Sequence, residues 1–250
     1  CVMSNRTRII TATLVCLLCI PFALSAITAE EIIKTMDGMQ TFDTSYSTGS
    51  ITTTDRFGAK VSTFKAWTQG SSDSLIEFTS VAERGQKILR TKGSLYLFYP
   101  DAEELIRLQG AALRQSVLGS DLSYEDMTEE KNTLDDYTVR LDGSQIVNGH
   151  DCHVLTLTAK TRQVAYPIQK IWVDKETYLV WKAAYSTAQG RLLKEMEVLD
   201  TIVVDGRTLP KETKIEDKMK RDSSTVMALD TLEVNIPLDR KIFTLENLTW

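Results

Sequence analysis

The sequence predicts a mainly β protein, an α+β chain dominated by one large antiparallel sheet. Three observations carry that reading. Turn signals interrupt the chain every 8–12 residues with no long helix between them, the spacing of antiparallel neighbours in a meander. Tight-turn pairs, Asn148-Gly149 and Asp205-Gly206 among them, suit hairpins. The strand pattern fails once, within 93–127 (GSLYLFYPDAEELIRLQGAALRQSVLGSDLSYEDM), where short helical turns with apolar side chains break into a β-rich chain.

Taken in order, the chain opens with a segment outside that fold. Met3, Arg6 and Arg8 form a basic start, 9–24 is apolar, and small residues follow at Ser25, Ala26 and Ala29. This is the layout of a secretory signal peptide, with cleavage expected after Ala26 and 27–250 left as a single domain. The competing reading is a membrane anchor, but the apolar run is short of the roughly 18 residues that a span requires. Lipid attachment at Cys19 is a second alternative, weakened by Leu18 before it, where such a signal has a small residue.

Residues 29–39 read as an amphipathic helix, with Ile32, Ile33 and Met36 on one face, Glu30 and Glu31 in the first turn and Gly38 closing it. Residues 41–54 are rich in Thr, Ser, Tyr and Phe, strand formers, with a bend at Gly49. A turn at 55–58 leads into a strand through Val61, Phe64 and Trp67, and further strands cover 74–81, 86–91 and 95–99. At Pro100 the period changes. Leu113 and Val117 stand four apart on one helical face, with Leu118 beside them and Gly119 placed to end the turn. Ser123 and Asp126 have the spacing of a helix N-terminus. Tyr137, Val139 and Leu141 then alternate, with a turn expected at Asp142-Gly143. Strands follow at 154–159, 168–174, 178–186, 191–204, 212–218 and 225–236, where Pro237 ends the set. The total is about eleven to twelve strands, and an open sheet of that size must curl to bury a face.

Charge and cysteines narrow the function. The chain carries a net charge of −5. Without the first 26 residues it has 27 basic against 34 acidic residues, a net of −7. Such a balance argues against nucleic acid as a partner and against broad electrostatic attachment to anionic membranes. Cys152 is the one cysteine beyond residue 26, so the expected mature chain has no internal disulfide and relies on its core.

A reaction centre is hard to assemble from what is present. The two histidines, His150 and His153, flank Asp151 and Cys152. Residues three apart on a strand face opposite ways, so neither a metal site nor a Cys/His nucleophile pair forms. His150 is assigned to the adjoining turn and Cys152 to the apolar interior. No G-x-S-x-G, Gly-rich phosphate loop or H-E-x-x-H occurs. The Glu129-Glu130 and Asp135-Asp136 pairs read as surface charge, and the Asn247-Leu-Thr249 triplet as a chance glycosylation match. No catalytic residue, cofactor or metal ligand is assigned.

What the sequence does supply is apolar bulk. Phe64, Trp67, Ile76, Phe78, Leu95, Leu97, Phe98, Tyr99, Trp172, Trp181 and Met196 are spread over successive strands. Each alone reads as ordinary core. Together with a curled sheet and a weak helical insert they permit a concave, lidded pocket for an apolar ligand. Burying a CH₂ is worth roughly 0.8 kcal/mol, so an acyl chain of about fifteen methylenes offers on the order of 12 kcal/mol before binding costs.

The mid-chain GSLYLFYPDAEELIRLQG…GSDLSYEDM, together with KIWVDKETYLVWKAAY and the closing IPLDRKIFTLENL, resembles the outer-membrane lipoprotein-sorting family, the relatives of the periplasmic carrier LolA. The likeness spans essentially all of 27–250. It implies an incomplete, strongly curved antiparallel barrel of about eleven strands, its open side covered by helices and its cavity taking acyl chains of lipoproteins or other lipids. The expected lining or lid residues are Phe64, Trp67, Ile76, Phe78, Leu95, Leu97, Tyr99, Leu113, Val117, Leu118, Trp181 and Met196. The resemblance further implies a periplasmic, monomeric, non-enzymatic carrier that makes transient membrane contact. Its partners would be an inner-membrane exporter and an outer-membrane acceptor. Two rivals share the fold or the ligand: a sensor of lipoproteins that signals to a membrane partner, and an enzyme acting on lipids.

Overall fold

The computed structural model describes residues 27–128, 133–162 and 164–248. The signal-peptide reading of 1–26, the Glu129-Glu130 pair and Thr249 lie outside the described residues. The first element among the described residues is helix α1 (Ala29–Gln40), running past Gly38 to its cap at Thr41. Its start is a capping box: the Glu31 amide donates to Thr28 Oγ1 at 3.2 Å, and the Thr28 amide donates to Glu31 Oε2 at 2.8 Å. Two donors left over at any helix start are thereby satisfied.

Thirteen strands follow: β1 (Thr44–Asp55), β2 (Gly58–Gln69), β3 (Asp73–Phe78), β4 (Lys87–Thr91), β5 (Ser94–Tyr99), β6 (Glu104–Leu108), β7 (Tyr137–Val147), β8 (His150–Ala159), β9 (Ile168–Asp174), β10 (Val180–Ser186), β11 (Leu192–Val204), β12 (Arg207–Asp217) and β13 (Ser224–Val234). They form one sheet in the order β6-β5-β4-β3-β2-β1-β13-β12-β11-β10-β9-β8-β7, antiparallel at every pairing. The chain therefore starts mid-sheet, meanders out to one edge at β6, crosses to the other edge at β7 and meanders back beside β1. Edges β6 and β7 do not pair, so the sheet stays open.

That topology explains the break in the strand pattern. Residues 109–136 are the connection between the two edges, and its described parts, 109–128 and 133–136, run over one face of the sheet. They contain two 3-10 turns, Gly110–Arg114 and Val117–Gly119, followed by the short helices α2 (Tyr124–Thr128) and α3 (Thr133–Asp136). The expected capping box is present at α2: the Ser123 amide donates to Asp126 Oδ2 at 2.8 Å and the Asp126 amide to Ser123 Oγ at 3.1 Å.

Three expectations need correction. Among the described residues the strands number thirteen, not about eleven to twelve, because Glu104–Leu108 continues the sheet instead of starting the helical interlude. One 3-10 turn at Pro100–Ala102 and a left-handed Glu103 (φ 50°) send the chain straight back along β5. Asp142-Gly143 is no turn but a bulge inside β7, where the register shifts between Leu141 and Gly143 against an uninterrupted β8. Leu113 and Val117 do not share one helical face. The two 3-10 turns that carry them are separated, and a bridge from Ser116 to Ser123 folds the segment back on itself.

Gly49, expected at a bend, sits at a register shift in β1 against β13. A Cβ there would lie 2.3 Å from the Ala228 carbonyl oxygen and 2.9 Å from the Phe64 ring, so only glycine fits.

The pleat sorts side chains into two faces. On the face beneath 109–136, Ile51, Phe64, Ile76, Phe78, Ile88, Leu95 and Leu97 form one buried cluster with Val117, Leu122 and Tyr124 of the crossing segment. Further along, Ile32, Ile33 and Met36 of α1 pack on Leu155, Leu157, Ile171, Val173 and Ala183. Each of those helix residues gains about 1.5–3 kcal/mol by burial, enough to fix the helix there. The opposite face is covered at β3–β5 by the C-terminal segment, where a 3-10 turn (Arg240–Phe243) and helix α4 (Leu245–Leu248) bring Phe243 and Leu248 onto Leu75, Leu89 and Phe98. Among the described residues, no helix is long and apolar enough to cross a membrane.

Candidate functional site

The inner face is filled from two directions, and a gap remains where the fillings meet. The crossing segment occupies the β1–β6 half, α1 the β7–β10 half. Between them lies a cavity of about 270 Å³, with Met36, Leu122, Leu157, Ala183, Met196, Ile215 and Met227 in its wall. Met196 packs against both apolar clusters and so marks their seam.

Polar anchors hold the cover over this cavity. At one side Asp126, on α2, forms an ion pair with Lys194, which projects from β11 on the same face as Met196. Asp126 also accepts from the Tyr166 hydroxyl at 2.8 Å, and Lys194 stands 5.4 Å from the centre of the Tyr166 ring. The Lys194 side chain is 8 % exposed and that of Asp126 16 %, so this pair works in a partly dry setting where attraction is little screened. At the other side Asp121 is buried and accepts from Thr225 Oγ1 at 2.9 Å and from Ser223 Oγ at 3.0 Å. Lys220 lies 3.8 Å from Asp121 and donates to the carbonyls of Gly119 and Ser120. A third tether joins α1 to the crossing segment, the Thr133 amide and hydroxyl donating to Asp37 at 3.0 and 2.9 Å.

The ionisation states follow this burial. The Glu125 carboxyl, which lines a separate small pocket with Arg90 and Ala165, is pushed up chiefly by burial, with Arg114 pulling the other way. Burial and then the Asp126 carboxylate push the Tyr166 phenol up, and burial with the Tyr99 hydroxyl does the same to Tyr124.

Of the residues expected to line or gate a cavity, Met196 is in the wall of this one, while Phe78, Leu97, Tyr99 and Leu118 border only a small void of about 10 Å³. Phe64, Ile76, Phe78, Leu95, Leu97 and Val117 lie on the same inner face, in the half the crossing segment fills, with Tyr99, Leu113 and Leu118 packed at its margin. Trp67 and Trp181 stand on the opposite face. Trp67 belongs to the cluster under the C-terminal segment, its ring 5.4 Å from that of Tyr46. Trp181 packs with Cys152, Val154 and Trp172 and donates from Nε1 to Asp174 at 3.0 Å.

That outer cluster also accounts for the histidines, and it corrects one expectation: His150 and Cys152, two apart on β8, share this face, so strand geometry alone does not separate a Cys/His pair. His150 begins β8 rather than lying in the turn, with its ring stacked 4.1 Å from Trp181 and Nδ1 3.1 Å from Asp174 Oδ2. His153 alternates to the other face, beside Val173. Burial pushes Asp174 up, but the Thr177 amide, the Trp181 indole and the Glu176 amide outweigh it and hold the carboxyl below its ordinary value. Burial, with Asp174 and Asp151 nearby, pushes the Cys152 thiol up to about 11, which suits a packing residue and not a nucleophile. Among the described residues no group of three His, Cys, Asp or Glu is placed to hold a metal ion.

Sequence reasoning missed Lys194, Tyr166, Asp121 and Thr225, and saw Asp126 only as a cap. One signal was available: Lys194 and Met196 share a strand phase, so a residue assigned inward implied an inward lysine two before it.

An open antiparallel half-barrel with a covered apolar cavity defines a LolA-like fold, and comparison with known proteins agrees. A DUF1329 family protein from Desulfovibrio piger superposes with a TM-score of 0.82 at 26 % identity, over 88 % of this chain and 97 % of that one. A LolA superfamily protein from Nitrosomonas europaea gives 0.75 at 26 % identity, over 89 % and 100 %. A structure assigned as an outer membrane lipoprotein-sorting protein domain, from Vibrio parahaemolyticus, gives 0.79 at 18 % identity over 88 % and 97 %, a likeness of fold. No curated protein matches the sequence. A family model described as uncharacterized-protein-like matches residues 70–250, and the chain belongs to that family.

Proposed function

We propose that this protein is a non-enzymatic periplasmic carrier that holds the acyl chains of lipoproteins or other lipids on the inner face of its half-barrel. Its route would run from an inner-membrane exporter to an outer-membrane acceptor. The observation that carries the reading is the covered apolar cavity, whose wall is methionine-rich (Met36, Met196, Met227) and whose cover is fastened by polar contacts at its rim. Unbranched thioether side chains adapt to chains of differing shape. The cavity, about 270 Å³, is below the roughly 300–1,000 Å³ of small-ligand sites, so an acyl chain enters by displacing part of the cover.

Cargo contact requires no reacting group: the charged Asp126 and Lys194 of the wall pair with each other, and the energy comes from apolar burial. The test is native mass spectrometry of protein purified without delipidation, together with titration of a fluorescent fatty-acyl probe. Co-purifying lipid, and a probe displaced when Met196→Asp places a charge in the wall, are the expected results. A homogeneous ligand-free mass with no probe uptake would sink the reading.

A further inference from the structure

The register brings three loops to one end of the half-barrel. The β1–β2 hairpin turns at 55–58, and because Thr54 pairs with Ser224 the β12–β13 turn at 217–224 lies beside it. Phe64 pairs with Phe78, so the β3–β4 loop at 79–86 lies on the other side, fastened by the Lys60–Glu83 ion pair at 2.7 Å. Among the described large apolar side chains the two most exposed are both here, Val81 at 88 % and Phe57 at 82 %, and Met219 of the neighbouring turn is 58 % exposed.

These apolar tips are interleaved with cations. Arg56, Arg84 and Arg221 are exposed, and the Arg56 guanidinium lies 4.6 Å from the Phe57 ring centre. Across 55–61, 79–86 and 217–223 there are six basic residues against four acidic ones, in a chain whose net charge is −5. One of those four acids, Glu83, is buried against Lys60. The charge of the whole chain opposes an anionic surface, and the balance of these three loops runs the other way.

We infer that this end docks on an anionic lipid bilayer, with Phe57, Val81 and Met219 entering the interface and Arg56, Arg84 and Arg221 at the headgroups. Apolar side chains that reach below the headgroup level, with guanidinium groups beside them, match how peripheral elements sit on membranes. The inference deepens the carrier reading and rests on it for its purpose. The β12–β13 turn that carries Met219 also carries Lys220, which donates to Gly119 and Ser120 of the cover. Docking therefore acts on the same turn that holds the cover shut.

The experiment is vesicle flotation of the chain in its cell-processed form, its N-terminus determined by mass spectrometry. Vesicles of phosphatidylethanolamine with phosphatidylglycerol are compared with vesicles of phosphatidylcholine alone. The expected result is binding to the anionic vesicles that weakens with salt. It should fall at least about tenfold in the F57D/V81D/M219D variant and in the R56E/R84E/R221E variant. The I146D/V203D pair, exposed but outside these three loops, should leave it unchanged. No flotation with either vesicle, equal loss in the I146D/V203D control, or full binding by the triple-aspartate variant would overturn the inference.

Acyl-probe uptake, measured on the same samples, separates the two claims. Uptake retained by the triple-aspartate variant shows an intact fold and cavity. Vesicle binding without any uptake by the unsubstituted chain would remove the carrier reading and leave the docking surface standing. Anionic vesicles should also speed probe release from the unsubstituted chain; unchanged release would overturn the link to the cover.

Discussion

At the scale of single residues, Lys194 is the group whose surroundings decide most. A lysine among Met196, Ile215 and Ala183 would be costly alone, and it is tolerated because Asp126 and the Tyr166 ring face it. Removing one partner leaves the other charge half dehydrated. Lys194→Met is therefore expected to cost about 3 kcal/mol in urea unfolding, whereas Lys194→Met with Asp126→Asn should return to within about 1–2 kcal/mol of the parent. Equal losses in the single and double variants would show that the pair is not coupled. Glu125, next along the cover, gives a pH dependence whose sign is fixed. Burial raises its carboxyl in the folded chain, so the folded state holds that proton more tightly than the unfolded one. The resulting stabilisation is full below about 4.5, the ordinary value, and is lost as pH rises through the higher folded value. Glu125→Gln should thus gain on the parent steadily as pH goes from 4.5 to 7.5, measured by urea midpoints, and a constant offset would refute it.

At the scale of elements, the crossing segment has a core part and a marginal part. Val117 is fully buried among Phe64, Phe78 and Leu97, while Leu113 only packs against that cluster's edge. Val117→Asp is expected to cost on the order of 4 kcal/mol, and Leu113→Asp less than about 1, in denaturant unfolding followed by circular dichroism. Equal effects would mean that the two share one environment, as a single helical face would have required. The contrast shows what was legible. The apolar face of α1 at Ile32, Ile33 and Met36, the α2 capping box and most strands could be read because each depends on residues a few positions apart. Trp67 could not be placed, because its neighbours Phe243 and Leu248 arrive from the far end of the chain. A hint was present in SLYLFY, apolar at nearly every position, as expected where both faces of a strand are covered. Strand β6 stayed hidden because its turn depends on one left-handed glutamate, a conformation that glutamate does not advertise.

At the scale of the whole molecule, the sheet's topology decides how the cavity opens. The cover is the connection between edges β6 and β7, so both its ends are tied to the sheet and it cannot swing away as a free flap. On the proposed carrier function it would lift in its middle, where the Asp121 and Asp126 anchors hold it against β13 and β11. Although Val117, Leu122 and Tyr124 are buried, the segment is built of single turns outside the sheet's ladder, and such segments open at lower free energy than the paired strands beneath them. On the same proposed function, an acyl chain too long for about 270 Å³ would take the place of Val117, Leu122 and Tyr124, and the displaced segment would then exchange its amides more freely. Hydrogen exchange read by mass spectrometry should show 117–127 exchanging faster with a saturating acyl probe than without it, and β10–β13 exchanging more slowly. Asp121→Asn weakens one anchor without entering the cavity wall, so it should speed probe association about threefold to tenfold, an opening cost lowered by roughly 0.7–1.4 kcal/mol. Slower exchange of 117–127 on binding would mean that the cover closes over its ligand instead of giving way to it, and the displacement model would fall.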